Sequence, residues 1–230
     1  RRNRPVLAMT RERVLTLGAF EMRQAKLLNA QEFKRLSAVI NSKRHAVRNH
    51  TVVALSFYAG LRACEIAGLR VGDVYEANGT VRDSFYLRAE QTKGGEGSTV
   101  LVNKKLAAAL KRYAERYPKH CAKADAPLIF SGKGGGFSAQ TIVNLFAVLY
   151  DAAGITGASS HSGRRQFVSS MASKGINPRV IQVLVRHRHL NTTMHYIDVN
   201  DAKLRKAVEL VVPGPAPDDV VAAQQVEAVG

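Results

Sequence analysis

The chain has 230 residues, 46% hydrophobic and 23% charged, a globular composition long enough to bury a core without staples. Its 34 lysines and arginines against 18 aspartates and glutamates leave a net charge of +16, which points to a polyanionic partner because each neutralised phosphate releases condensed counterions. Two cysteines make no disulfide framework, and no apolar run reaches membrane length, so secreted, membrane-bound and disulfide-scaffold classes are set aside and a cytoplasmic location is expected.

Residues 1–28 carry Arg1, Arg2, Arg4, Arg11, Arg13, Arg23 and Lys26 against Glu12 and Glu21. They read as a basic amino-terminal arm or linker. The chain opens on Arg1 rather than Met, which leaves open a piece of a longer protein or a small protein with this arm in place of a further domain. Asn29 can cap a helix with Glu32 reaching back as its third residue, and Phe33, Leu36, Val39 and Ile40 follow at helical spacing. A buried helix is expected over Val47 to Tyr58, ended by Gly60, then a short one over Ala63 to Leu69, with Val71 to Val74 leading out of it.

Ser84 to Arg88 and Ser98 to Val102 read as strands, with Gly94, Gly95 and Gly97 between them. They predict an antiparallel hairpin with Lys93 near its tip. Leu106 to Tyr117 and Ala139 to Ala153 are helical, and Gly132 to Gly136 is a flexible loop. Ser159 or Ser160 can cap a helix running to about Lys174, Gly175 stops it, and Asn177-Pro178 starts the next. Val199 to Val212 is helical, with Leu204, Ala207, Val208 and Val211 on one face. From Pro213 to Gly230 three prolines and two adjacent aspartates read as a disordered tail. The fold class is mainly α with a small antiparallel β-sheet, in three parts: 1–28, 29–212 and 213–230.

The loop at Gly132 lacks the GxxxxGK[ST] pattern of a phosphate-binding loop, and there is no CxxC, HExxH or carboxylate cluster of the kind metal nucleases use. His187, His189 and His195 do not share a helix face, so they read as separate histidines rather than a zinc set. No cofactor and no metal is expected. A protein acting on phosphates must then use its own cations. Arg62 in Gly60-Leu61-Arg62-Ala63-Cys64-Glu65-Ile66, and His161 with Arg164 in His161-Ser162-Gly163-Arg164-Arg165, supply them. Arg62 is also placed to pair with Glu65 one turn on. Two rigid guanidinium forks can hold both non-bridging oxygens of a phosphodiester. Val185-Arg186-His187-Arg188-His189 and Thr192-Thr193-Met194-His195-Tyr196 complete the set.

Taken in order, GLRxxEI, Gln91-Thr92-Lys93-Gly94-Gly95 between two strands, HxxR, a late histidine and then a tyrosine resemble the tyrosine recombinases and phage-type integrases. The likeness spans roughly Asn29 to Val212, their catalytic domain. Arg164 precedes His187 by 23 residues and His187 precedes Tyr196 by 9, as that family's spacing requires. The resemblance implies a nucleophile at Tyr196, which forms a 3′-phosphotyrosine with a free 5′-hydroxyl. Arg62 and Arg164 would clamp the phosphate, and Lys93 would protonate the leaving oxygen. His161 would assist proton transfer at the tyrosine, and His187 would support the transition state. Neither ATP nor Mg²⁺ is then needed. The implied partners are double-stranded DNA with specific sites and further copies of the chain in a synaptic tetramer, with the Val199–Val212 helix docking on a neighbour or capping its own subunit. Other readings are a type IB-like topoisomerase and a non-catalytic DNA-binding regulator.

Three positions depart from the family pattern. Gly163 stands where a bulky apolar residue is usual, and a small packing gap is expected there. Arg165 stands where His is frequent, and Arg186 where Gly is frequent. Tyr58, Tyr75, Tyr86, Tyr113, Tyr117 and Tyr150 are expected to pack.

Overall fold

The computed structural model describes residues 24–92, 95–132, 134–197, 204–205 and 208–209. The expectations for residues 1–23, for Lys93, for the tail after Pro213 and for most of the Val199–Val212 segment lie outside the described residues. Leu204, Arg205, Val208 and Glu209 are helical and exposed.

The order is α1 (Ala30–Asn41), α2 (Ala46–Ala59), α3 (Ala63–Gly68), α4 (Val71–Val74), β1 (Ser84–Leu87), β2 (Ser98–Leu101), α5 (Lys104–Arg116), α6 (Pro118–Cys121), α7 (Ala139–Ala152), α8 (Ser162–Ala172), α9 (Pro178–Val185) and α10 (Leu190–Met194). The mainly α reading with one small antiparallel sheet holds. In the sheet, Ser84 pairs with Leu101 and Leu87 with Ser98. Phe85, Leu87 and Val100 turn into the core, while Ser84 and Tyr86 face out, the period-two alternation of a one-sided sheet.

α2 is the central element. Its sequence is apolar almost all round, and Val52, Val53, Leu55 and Phe57 are all buried, as a helix inside a core requires. It packs against α1, α3, α5 and α8. Local signals set several boundaries. Asn29 and Glu32 form the expected capping box on α1. Asn177 caps α9 through the Arg179 N–H, with Pro178 at the first position. Gly60 ends α2 in the left-handed conformation (φ +62°), and a Cβ there would stand 2.7 Å from the Phe167 ring. Among the described residues no helix is long and apolar enough to cross a membrane.

Four local expectations change. Val71 to Val74 is itself a helical turn, closed by Asp73 reaching back to the Arg70 N–H. Tyr86 is 58% exposed and does not pack in the core; it stands on the outer face of β1. α8 starts at Ser162, not behind a Ser159 or Ser160 cap. Ser159 and Ser162 hydrogen-bond each other across a turn, Ser162 N–H to Ser159 O and Ser159 N–H to Ser162 Oγ. The Ser159 hydroxyl accepts the His161 N–H at 3.3 Å, ahead of the helix rather than on its first turn, and His161 becomes the cap residue. Gly163 leaves no gap: a Cβ there would lie 2.2 Å from Ser56 Oγ and 2.6 Å from the Phe57 ring. α8 lies so close on α2 that a side chain has no room.

Residues 24–28 run against α8. The Leu28 N–H donates to Gln166 Oε1 at 3.1 Å, the Lys26 N–H to Gly157 O at 3.0 Å, and Arg165 Nη1 to Ala25 O. Arg165 thus fastens the stem of the expected arm, and Leu28 is buried in the main core.

The α2–α8 contact makes a test. Gly163→Ala should destabilise by about 1–3 kcal/mol, as overpacking of a tight core does, at about 2–4 °C of Tm per kcal/mol. A thermal melt reads it, and an unchanged Tm would contradict the close packing.

Candidate active site

Three arginines converge on one carboxylate. Arg62 begins α3 with an extended backbone, and Glu65, three residues on, reaches back to its N–H at 2.9 Å. An acid in a first turn suits the helix dipole. The same carboxylate accepts Arg62 Nη1 at 2.7 Å and Arg186 Nη2 at 3.0 Å. Its side chain is fully buried. Burial pushes the Glu65 carboxyl up, but Arg186, the Arg62 N–H, Arg164 and the Arg62 charge outweigh it and hold it below the usual carboxylate range. A buried carboxylate without such partners would neutralise rather than stay charged.

Arg164, on α8, is 4% exposed. Nη1 donates to Gly60 O at 2.6 Å and Nη2 to Val185 O, so one side chain joins the ends of α2 and α9. Burial, then the neighbouring Arg62 charge, pushes it down to about 9, while Glu65 and Tyr196 pull the other way. It still carries its proton at neutral pH.

Arg186 ends α9 at φ +58°, the one non-glycine residue with positive φ among the described residues. A side chain in that conformation costs about 1–2 kcal/mol, a cost that glycine avoids. Its guanidinium is buried, donates to Leu184 O and Glu65, and has Nε without a partner.

His187 follows directly. Its Nδ1 lies 2.9 Å from Thr193 Oγ1, and Gln182 Nε2 donates to its carbonyl at 2.9 Å. Burial and then the charges of Arg164, Arg62 and Arg186 push the ring down to about 4, so it is neutral at physiological pH. Tyr196, just beyond α10, stacks on it with ring centroids 5.8 Å apart and planes 18° apart. The tyrosine also packs on a small apolar cluster of Val168, Ile181 and Val185, separate from the main core. The phenol is thus held from α8 and α9, the two helices that also place Arg164 and Arg186.

A cavity of about 610 Å³ opens over Arg62, Arg186 and His187, with Thr92, Glu96 and Ser98 of the hairpin on one wall and Arg179 and Arg188 among its other lining residues. Tyr196 lines a second cavity of about 570 Å³, with Gln166 and Ser169 of α8, Ser173 just after it, and His195. Arg164 lines neither cavity; Arg62, Arg164 and His187 gather around Glu65, and Tyr196 meets this group through its stack on His187. His161 has its ring exposed at the cap of α8, one turn before Arg164. Lys93 lies outside the described residues, and its neighbour Thr92 stands on the wall of the first cavity. Arg62 both pairs with Glu65 and faces that cavity. Sequence reasoning missed Thr193 and Gln182, which orient His187, and saw Arg186 only as a departure. A buried threonine three residues before the tyrosine carries no local signal that separates it from Thr192.

A mostly helical body with one small hairpin and this cluster has the fold of tyrosine-recombinase catalytic domains. The XerA recombinase crystal structure superposes with a TM-score of 0.64 at 25% identity, covering 84% of this chain and 67% of that one. The Tn1549 transposon integrase, solved with a circular intermediate DNA, matches in fold at a TM-score of 0.67 and 15% identity, covering 83% and 67%. Residues 26–203 match the phage integrase family, and the chain belongs to it. It is 29% identical to tyrosine recombinase XerA of Pyrococcus furiosus over 80% of its length and 61% of that protein. It is 28% identical to tyrosine recombinase XerD of Neisseria meningitidis over 80% of its length and 62% of that protein. The chain thus spans about three fifths of the length of these relatives.

The neutral histidine has a measurable consequence. His187 titrates at about 4 when folded against an ordinary 6.5. As pH falls, the unfolded chain therefore takes up this proton first. The stability this group contributes is whole above 6.5 and is lost progressively as pH falls towards 4. An NMR titration of the His187 ring should give a midpoint near 4, and one near 6.5 would contradict the buried cationic surroundings.

Proposed function

We propose that the chain is the catalytic part of a site-specific DNA recombinase, which cleaves and rejoins DNA through a 3′-phosphotyrosine at Tyr196. The observation that carries this reading is the tyrosine stacked on a neutral histidine beside a buried arginine cluster, with a cavity over Arg62 and His187.

Arg62 and Arg164 bind the scissile phosphate, whose added charge in the pentavalent transition state strengthens their hold. Tyr196 Oη bonds to phosphorus as the bond to the 5′-oxygen breaks. His161 assists in taking the phenol proton, and Lys93 protonates the leaving oxygen. His187, held through Nδ1 by Thr193 Oγ1, offers a hydrogen bond from Nε2 to a non-bridging oxygen in the tautomer that carries its proton there. The tyrosyl phosphodiester retains the energy of the broken bond, so a 5′-hydroxyl from a second duplex reverses the step without ATP. The net charge of +16 supports a duplex partner whose affinity falls steeply with salt. Residues 29–212 would form the catalytic domain, flanked by the basic arm 1–28 and the tail 213–230. Four copies would pair two duplexes in a synapse, a reading drawn from the family.

Incubation with nicked duplexes from the native element, in EDTA and without ATP, followed by an SDS quench, tests the chemistry. A protein–DNA adduct should form, and Tyr196→Phe should abolish it. Tight, salt-sensitive binding with no adduct would favour a DNA-binding regulator instead.

A further inference from the structure

Arg186 has no part in the roles above, and three observations say that it is more than a cap. It is the one described non-glycine residue with positive φ, so a chain that needed only the turn would carry glycine or asparagine there. Its side chain is 8% exposed. It ends on Glu65, a residue of another element, 121 positions away in sequence. Glu65 Oε2 is shared between Arg186 Nη2 and the Arg62 N–H, while Oε1 takes Arg62 Nη1.

We infer that Arg186 is a positioning residue of this site: through Glu65 it sets the pose and the effective charge of Arg62, from the turn that also carries His187. The argument is one of charge and geometry. Arg62 and Glu65 alone form a neutral pair, and a neutral pair attracts a phosphate weakly. With Arg186 on its other oxygen, Glu65 is shared, and the triad keeps one net positive charge beside the cavity. Arg62 is 24% exposed at its side chain, while Glu65 and Arg186 are buried behind it. The charged and titratable groups facing Glu65 are Arg62 on its own helix, Arg164 on α8 and Arg186 at the end of α9, with His187 beside them. Arg186 also joins α3 to the α9 turn, so Arg62 and His187 hold a fixed separation for one phosphate. The inference rests on the recombinase reading only for which step it speeds.

The test compares Arg186→Gly and Arg186→Asn, both suited to the left-handed backbone and both neutral, with Arg186→Lys, which restores charge. Single-turnover cleavage of a nicked duplex by the 230-residue chain should slow about tenfold or more in the neutral variants, as when a group that orients a site residue is lost. Affinity for intact duplex should change far less, and Lys should recover part of the rate. Unfolding without DNA supplies the second readout. With Arg186 gone, Glu65 loses its strongest stabilising neighbour. Its carboxylate then protonates at higher pH, and the acid-side loss of stability should move up in both neutral variants. Adding Glu65→Gln should remove that difference. Neutral variants that cleave at the wild-type rate, or whose acid limb does not move, would overturn the inference. If the wild-type chain forms no adduct, the recombinase reading fails, while the acid limb still decides the Arg186–Glu65 link.

Discussion

Glu65 keeps its negative charge with no exposure to water, and that one condition organises the surrounding structure. A carboxylate in that position stays ionised only if cations and N–H groups surround it. Arg62 meets it from its own helix and Arg186 from the end of α9, with Arg164 on α8 adding its field. Each of these arginines is in turn buried or half-buried and repelled by the others. The cluster holds more positive charge than one carboxylate balances. The surplus faces a cavity, which suits a phosphate arriving from outside rather than a closed structural ion pair.

The same charges act on His187. Arg164, Arg62 and Arg186 together with burial keep its ring neutral, and Thr193 and Gln182 hold it in place. The ring is then a flat, uncharged surface on which Tyr196 stacks. The tyrosine belongs to the small apolar cluster of α8 and α9 rather than to the main core. Two ties hold that cluster to the rest at the site: Arg164 to the end of α2, and Arg186 to α3. The close seating of Gly163 on Ser56 and Phe57 adds a third. Tyr196, the proposed nucleophile, is thus placed by contacts that are mostly electrostatic at one end and apolar at the other.

What was legible in the sequence was what local chemistry decides. Asn29 with Glu32, Gly60 after α2, and Asn177-Pro178 before α9 each announce a boundary within four residues, because caps and turns are made by neighbours. The order and spacing of Arg62, Lys93, His161, Arg164, His187 and Tyr196 carry the family resemblance, and Arg62, Arg164, His187 and Tyr196 lie near one another. What was hidden depends on residues far apart in the chain. Gly163 looked like a gap because its contact is with α2, more than 100 positions earlier. Arg186 looked like a mere departure because its partner lies on α3. The start of α8 differs from the expectation because the Ser159 hydroxyl accepts the His161 N–H rather than one in the helix's first turn, a choice between two equally local options that the sequence does not rank.

The central claim is that this charge cluster serves a phosphodiester attacked by Tyr196, and the most direct measurement is the chemical identity of the linkage. The chain would be incubated with a nicked duplex in EDTA, quenched and digested with protease, and the DNA-bound peptide sequenced by mass spectrometry. The expected product is a peptide containing Tyr196 joined through its phenol oxygen to a 3′-phosphate. A linkage to another residue, or to a 5′-phosphate, would contradict it.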